Sequence, residues 1–557
     1  MPDRKPSAEK HARDTLLLVP FKESHPLACS PSAARQTVKN GLLSVCLILP
    51  WVNPFVYGPS VNVLPWLISA FCAVFICLLR RNLTAQHLAL TWLVAALISS
   101  LMAALQYFGW GNGFNAVMSQ TTPGEAFANL RQRNQLATLT SIGLVALIAL
   151  VSRPDGSKSI LSPDRAPEVT GPHSLLPASL CMGLLAIGNA ASGSRTGLLQ
   201  WALVLALSAA WAWRSGYRVP AVFALRALLT CLAVGFALPW LFYLVTGEHV
   251  TGQAGRLAKT MGGDARITLW SNVLTMIAEK PWLGWGWGEL DYAHFITLFP
   301  GPRFYGVLNN AHNLPLHLAV ELGLPVAAVV CATVIGAICW GKPCSAASAP
   351  RQMAWGVLAV IGLHSLLEFP LWYGPFQIAT MASCALLWVT RHAPAEPGLL
   401  ERQAWVAPGP SRPVMTVLAS VAMAALVYAS IDYFKISQIY LPSDLRHSAL
   451  RDDTLDKVGG SWLFADQVQF SVLTKTRVDR ANAAATYDLA LKMLHYSPEP
   501  RVIERVIASA ALSGHMEEAH AYRRRYQAAY PLEHGNWAIR NKALVNLMDA
   551  AKSQPSP

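Results

Sequence analysis

Asn309-Asn310-Ala311-His312-Asn313-Leu314-Pro315-Leu316-His317-Leu318-Ala319-Val320-Glu321-Leu322-Gly323 carries a polar loop into an apolar helix, with a histidine at the boundary. Asn313 is placed to cap that helix, and Pro315 falls in its first turn, where a missing N–H leaves no bond unmade. Asn313, His317 and Glu321 then follow at i, i+4 and i+8, one polar stripe on an apolar surface. A glutamate about two turns inside a membrane segment is tolerated when it faces protein or a water-filled cavity. His317 reads equally well as a satisfied polar pair between helices or as a functional group. His312, at the loop mouth, reads as functional.

Outward from this stretch, about eleven apolar runs of ~20 residues recur, each long enough to cross a bilayer. They lie at 38–57, 61–79, 86–108, 134–152, 173–192, 196–213, 220–245, 313–340, 351–370, 374–391 and 412–434. The expected fold class is all-α: a polytopic transmembrane helical bundle with a small C-terminal soluble helical domain. Of the 557 residues, 53% are hydrophobic and 13% charged, with a mean hydropathy of +0.34. Soluble globular domains carry about 25% charged residues, so that class is excluded.

The net charge of +13 would suit nucleic acid, but its distribution argues for membrane topology instead. Arg80 and Arg81, then Arg153, Lys158 and Arg165, Arg214 and Arg218, Lys342 and Arg351, and Arg391, Arg402 and Arg412 occupy alternate loops, while links 58–60 and 371–373 hold no basic residue. Basic residues concentrate in cytoplasmic loops. Residues 1–37 therefore read as a cytoplasmic tail and 38–434 as the membrane-embedded domain. Within it, loop 246–312 falls on the outer side, and an odd number of spans leaves 435–557 outside as well. No nucleic-acid partner is expected; membrane lipid is. The segment after residue 444 is charged and lacks spans. Ala483 to Pro531 reads as a helical hairpin around a Ser-Pro-Glu-Pro turn at 497–500, loosely tetratricopeptide-like, serving as a partner platform or as a cap. Of the ten cysteines, eight fall inside apolar runs, Cys29 and Cys344 fall in segments read as cytoplasmic, and none falls in a segment read as outer, which points to packing rather than disulfides or metal ligation.

Several basic residues break the charge bias on the outer side. Arg131 and Arg133 precede the fourth run, Arg195 separates the fifth and sixth, and Arg256, Lys259, Arg266, Lys280 and Arg303 lie in the long loop. The loop Ala191-Ser192-Gly193-Ser194-Arg195-Thr196-Gly197 is too short to carry Arg195 far into water. An arginine held there beside a helix N-terminus suits an anion. In the long loop, Asp264 to Trp270 opens an amphipathic helix reaching Ala278. Lys280-Pro281-Trp282-Leu283-Gly284-Trp285-Gly286-Trp287-Gly288 then makes an aromatic turn, whose tryptophans read either as interface anchors or as sugar-stacking platforms. In His364-Ser365-Leu366-Leu367-Glu368-Phe369-Pro370-Leu371-Trp372-Tyr373, His364 and Glu368 share a helix face and Pro370 ends the helix. These unusual polar groups all reach one side of the membrane.

There is no Walker loop, no His-Glu-x-x-His and no Gly-x-Ser-x-Gly elbow. An enzyme outside the cytoplasm also works without ATP and needs a pre-activated donor, for which a lipid pyrophosphate is suited. Arginines clamp its phosphates and stabilise the charge of the departing group. A histidine at the mouth takes the proton of an attacking hydroxyl.

At this point the residues resemble a known family. Arg133-Asn134-Gln135-Leu136-Ala137, Ser194-Arg195-Thr196-Gly197, Arg266 and Trp270 with Pro281-Trp282-Leu283-Gly284-Trp285-Gly286, and His312-Asn313 with Glu321-Leu322-Gly323 together resemble the O-antigen ligase superfamily over about residues 40–435. Leu367-Glu368-Phe369-Pro370-Leu371-Trp372-Tyr373 and the extra C-terminal domain resemble its bacterial protein O-oligosaccharyltransferase branch. The resemblance implies a metal-independent glycosyltransferase without a resident cofactor. Its donor would be an undecaprenyl-pyrophosphate-linked glycan, and its acceptor a Ser or Thr hydroxyl of an exported, pilin-like protein, at the periplasmic face of the inner membrane. By the same resemblance, Arg195 and Arg266 hold the pyrophosphate and His312 acts on the acceptor. Arg131, Arg133, Gln135, Asn313 and Tyr373 are further substrate contacts. Glu321 and Glu368 either orient His and Arg or lock helices.

Two other readings share the sequence. Ligation to the lipid A core, or polymerisation of repeat units, would use the same Arg and His chemistry. A transporter or structural membrane protein would instead show internal repeats and midplane charges, and no convincing internal symmetry is present.

Overall fold

The computed structural model describes residues 31–55, 62–151, 172–250, 265–392 and 411–552. Among them the regular elements are helical throughout, with twenty-one α-helices and no strand. The apolar part comprises α1 (Pro31–Val52), α2 (Val63–Leu79), α3 (Ala85–Tyr107), α4 (Arg133–Val151), α5 (Pro172–Ser192), α6 (Arg195–Ser215) and α7 (Val219–Thr246). Two loop helices follow, α8 (Ala265–Glu279) and α9 (Leu290–Ile296), and then α10 (Leu314–Leu322), α11 (Leu324–Gly341), α12 (Ala349–Ser365), α13 (Gly374–Val389) and α14 (Arg412–Ser437).

The bundle is built around α4, which packs against α3, α5, α6, α7 and α12. Every residue from Gln135 to Ile148 is buried, as expected for a helix apolar on all faces. Polar groups at its centre are satisfied inside the bundle: Thr140 and Ser141 bond the Ala137 carbonyl, and Asn189 donates to Thr140 Oγ1 at 2.9 Å. An unpaired polar group in this environment would be costly.

Seven helical segments, α2 continued to Asn82, α3, α4, α6, α7, α11 continued to Ser345 and α14 continued to Tyr440, are long and apolar enough to cross a membrane, which marks a multi-pass membrane protein. The other four expected runs also form helices. However, α12 and α13 have only 17 and 16 residues, the apolar part of α5 is Leu176–Ser192, and α1 carries Gln36, Lys39 and Asn40 in its first half. The tail before residue 31, link 58–60, Cys29, Arg153, Lys158, Arg165, Arg256, Lys259 and Arg402 lie outside the described residues.

The expected single span 313–340 is two helices. Gly323 sits at φ +85°, and a Cβ there would lie 2.1 Å from the Trp282 carbonyl oxygen. The aromatic turn comes that close because it bonds the helix end backbone to backbone: Trp285 N–H to Val320 O and Gly286 N–H to Glu321 O at 2.9 Å, and Leu324 N–H to Pro281 O at 2.8 Å. The short α10 consequently packs on α8, where Leu318, Ala319 and Val320 join Leu269, Val273, Met276 and Leu290 in a core of their own. Glu321 therefore belongs to the loop layer and not to a spanning helix.

After α14 come α15 (Thr454–Val458), α16 (Ala465–Lys475), α17 (Ala483–Tyr496), α18 (Pro500–Leu512), α19 (Met516–Ala529), α20 (Pro531–Arg540) and α21 (Lys542–Lys552). The hairpin expected over Ala483–Pro531 is three helices, because Ser497–Glu499 and Gly514, at φ +91°, each interrupt the chain. Phe295 of α9 is buried in the core of these helices with Leu494, Ile503, Val506 and Tyr526. Arg525 Nε donates to the Ile296 carbonyl at 2.9 Å, and His495 Nδ1 lies 2.7 Å from Glu289 Oε2. The loop and the C-terminal helices thus occupy the same face of the bundle.

Candidate active site

The turn that follows α12 delivers Glu368 to that face. Its N–H bonds the His364 carbonyl at 2.8 Å; the regular helix ends earlier, at Ser365, and Pro370, which has no N–H to give, opens a separate short turn, Pro370–Trp372. The carboxylate is the meeting point of four chain segments. Oε1 accepts from Asn134 Nδ2 and from Arg266 Nη2, each at 3.0 Å. Oε2 accepts from Gln132 Nε2 at 3.1 Å and from His312 Nδ1 at 2.6 Å. Burial pushes the carboxyl up, but the His312 hydrogen bond and the charges of His312, Arg266 and His364 outweigh it and hold Glu368 below its ordinary value. An ionised carboxylate accepts only, so His312 donates through Nδ1–H and keeps Nε2 as its basic nitrogen. The side chains of His312 and Arg266 are 30% and 28% exposed against 8% for Glu368, so both reach outward from a buried anchor.

Local sequence explains how each partner arrives. Arg266 and Trp270 stand one turn apart on α8: the arginine reaches Glu368, and Trp270 Nε1 bonds the Ala311 carbonyl at 3.1 Å, tethering the loop beside His312. His312 adopts φ +51°, uncommon for a residue with a Cβ. It is held there by its N–H on Asn310 Oδ1 at 2.9 Å and by the Phe369 ring, edge-on at 5.1 Å. Asn313 caps α10 through Leu316 N–H at 3.1 Å, while its Nδ2 bonds the Leu366 carbonyl at 3.0 Å. One side chain thus joins the His312 loop to the Glu368 turn.

A second layer leads to Arg195. Asn134 Oδ1 accepts from Ser194 Oγ at 2.6 Å, and Ser194 caps α6 by accepting from Gly197 N–H. Arg195 is therefore the first residue of α6, half-buried, one position along the chain from a contact of the Glu368 cluster. Below the cluster, His364 is fully buried and bonds Thr138 Oγ1 at 2.9 Å, and Gln200 Nε2 bonds the same hydroxyl at 2.7 Å. These contacts lock α4, α6 and α12 together under the site.

The remaining expected residues fall elsewhere. Arg133 pairs with Glu125 at 3.2 Å on the surface. Arg131, at φ +60°, turns to the Pro54 and Phe55 carbonyls. Gln135 is buried beside the Tyr373 hydroxyl. Glu321 faces His317, with Oε2 3.5 Å from Nε2, and not His312 or an arginine. Burial pushes Glu321 up to about 7 and His317 down to about 4, so near neutrality the pair is not a full ion pair. Gln132 went unnoticed in the sequence and Asn134 passed as a motif neighbour of Arg133, although both reach Glu368. The only local hint was their placement just before an apolar run.

Comparison with known proteins bears on the same segments. Residues 126–151 match a family described as protein glycosylation ligase, 180–331 one described as O-antigen ligase, and 352–544 one described as virulence factor membrane-bound polymerase, C-terminal. The general O-oligosaccharyltransferase of Acinetobacter baylyi is 24% identical over 290 residues, 51% of this chain and 47% of that protein. The ComP-specific O-oligosaccharyltransferase of the same organism is 21% identical over 308 residues, 55% of this chain and 52% of that protein. The chain spans about half the length of the curated relatives it matches. The three matched segments supply, in turn, Gln132 and Asn134, then Arg195, Arg266 and His312, then Glu368.

Proposed function

We propose that this chain, a distant relative of O-oligosaccharyltransferases in the O-antigen ligase superfamily, transfers a glycan from undecaprenyl pyrophosphate to Ser or Thr hydroxyls of exported, pilin-like proteins. The reaction runs at the periplasmic face of the bacterial inner membrane. The observation that carries this reading is the Glu368 carboxylate, which holds a histidine and an arginine side by side at the face where the long loop lies. In this reading all eleven apolar helices span, residues 38–434 form the membrane-embedded transferase, and 435–557 form a periplasmic domain.

On this reading the residues divide the work as follows. The acceptor hydroxyl oxygen bonds the anomeric carbon as the bond from that carbon to the pyrophosphate oxygen breaks, with inversion. His312 Nε2 takes the hydroxyl proton, and Glu368 stabilises the resulting imidazolium through Nδ1–H. The bonding pair leaves on undecaprenyl pyrophosphate, whose charge Arg266 and Arg195 stabilise, Arg195 with the help of the α6 N-terminus. Asn313 joins the His312 loop to the Glu368 turn, while Gln135, Tyr373, Arg131 and Arg133 are proposed as outer substrate contacts and Glu321 as a helix lock, all outside the Glu368 cluster.

A second reading has its own support, since the matches over 180–331 and 352–544 carry ligase and polymerase descriptions. Glycoproteomics of wild type, a deletion and His312→Ala, run beside a lipopolysaccharide gel, separates the two. Loss of glycan from Ser and Thr of exported proteins, with lipopolysaccharide intact, is expected. Unchanged glycoproteins with truncated lipopolysaccharide would move the acceptor to the lipid A core or to a growing O-antigen. Both unchanged would overturn glycosyl transfer altogether.

A further inference from the structure

Trp287 of the aromatic turn and Trp372 of the α12–α13 link come together although 85 residues separate them in sequence, Trp372 being at 372 and Trp287 at 287. Their rings are nearly parallel, 14° apart with centroids 6.2 Å distant, and they are 63% and 36% exposed. Both are braced from behind. The buried His317 ring stands edge-on to Trp372 at 5.0 Å and to Trp287 at 6.2 Å, and His317 in turn faces Glu321. The turn bearing Trp287 is held by Gly284 and Gly286, both at positive φ, and by its backbone bonds to α10. A lone exposed tryptophan at a membrane surface needs no function beyond anchoring. Two exposed indoles brought into register by a buried histidine are a prepared binding surface, whose rigidity reduces the entropy lost when a ligand settles on it.

Resting on the transferase reading above, we propose that Trp287 and Trp372 form a stacking plate for a sugar ring of the donor glycan. The electron-rich face of an indole attracts the polarised C–H groups on the apolar face of a pyranose. Trp372 lies four residues beyond Glu368, at most about 14 Å of extended chain. A glycan whose first sugar reacts beside His312 therefore carries a later ring over the plate. The acceptor approaches His312 Nε2, whereas the plate lies along the following turns of α10, around His317 and Glu321.

The experiment compares wild type with Trp287→Ala, Trp372→Ala and Trp372→Tyr, using lipid-linked glycan extracted from the host as donor and bare undecaprenyl pyrophosphate as inhibitor. Each alanine variant is expected to raise KM for the donor on the order of three- to tenfold, with Ki for the bare lipid and KM for the acceptor protein unchanged, and Trp372→Tyr is expected to recover most of the loss. A parallel rise in Ki would make the plate a lipid contact, a rise in acceptor KM alone would make it an acceptor surface, and no change would make it structural. Each of these overturns the proposal. Glycan released from the host pool by mild acid, titrated onto His312→Ala protein and followed by saturation-transfer NMR, tests the plate without chemistry. Ring C–H signals that vanish in Trp287→Ala/Trp372→Ala uphold the plate even if no transfer to protein occurs, and an absence of signal in the parent overturns it.

Discussion

At Glu368 two oxygens answer four donors, and it is the charge of the side chain, more than its shape, that His312 and Arg266 use. Glu368→Gln keeps the volume but replaces one acceptor by an amide donor facing other donors. It also leaves the His312 imidazolium without its counter-charge. Transfer is expected to fall on the order of 10²–10⁴-fold, with the amount of protein in the membrane near normal; quantitative glycopeptide analysis against a membrane immunoblot measures both. Full activity in Glu368→Gln would show that the carboxylate only locks helices. The sequence announces Glu368 through its spacing from His364 and through Pro370, signals that lie within one turn. It could not announce the partners, because the bonds close over separations of 236, 234, 102 and 56 residues. Arg133 attracted attention by its charge while Gln132 and Asn134 do the bonding, since neighbours at a helix start point about 100° apart and only packing sets which of them faces the site.

Among the elements, the junction between the aromatic turn and α10 is the most constrained. Both sides were visible as Pro281-to-Gly286 and Glu321-Leu322-Gly323, but nothing local says that they dock on each other. Periodicity runs on through Gly323 as though one span continued. The finished contact explains both glycines: a Cβ at Gly284 would meet the Glu321 carbonyl at 2.4 Å, and one at Gly323 the Trp282 carbonyl at 2.1 Å. Gly323→Ala should therefore destabilise the loop layer by about 3 kcal/mol, seen as faster trypsin cleavage within 265–312 and loss of transfer. Unaltered cleavage kinetics would contradict the tight backbone approach. Helix α9 offers a test by pH. Burial, aided by Glu289 and Glu321, pushes Asp291 up to about 7, above its unfolded value, so the folded chain binds the extra proton and stability falls as pH rises from about 4 to about 7. Asp291→Asn keeps an acceptor for Tyr292 N–H, now bonded at 2.8 Å, and removes the charge. Its thermal midpoint should exceed wild type by about 2–4 °C at pH 8, and the gain should shrink toward zero as pH approaches 4. The neighbouring His294, pushed down to about 3 by burial and Arg303, works the other way, losing stability as pH falls below its ordinary value, and it does so equally in both proteins. A constant gain across the range would mean that the benefit comes from shape and not from charge.

For the whole molecule, the strongest constraint is that the loop and the C-terminal helices share one core. Phe295, from the loop, is 2% exposed among residues of α17 to α20, and Tyr305 Oη donates to Glu533 at 2.9 Å. Charge bias in the loops reaches the same sidedness from separate residues, through a count of spans in which a single error would move the C-terminal helices across the membrane. The packing does not depend on that count, because two segments with a common core cannot lie on opposite sides of a bilayer. Cysteines introduced at Leu298 and Leu532, which are 54% and 74% exposed, into a background freed of native cysteines should both react with an impermeant maleimide added to the periplasm. Cysteines at Arg81 and Arg214 should react only after lysis, since the charge bias places them inside. Phe295→Ala, which removes a large buried side chain worth about 3–5 kcal/mol, should loosen the docking and raise protease sensitivity in both partners at once. Labelling of Leu298 and Leu532 from opposite sides would break the shared core. Labelling of both from the cytoplasm would keep the architecture but remove the periplasmic donor and acceptor on which the transferase reading depends.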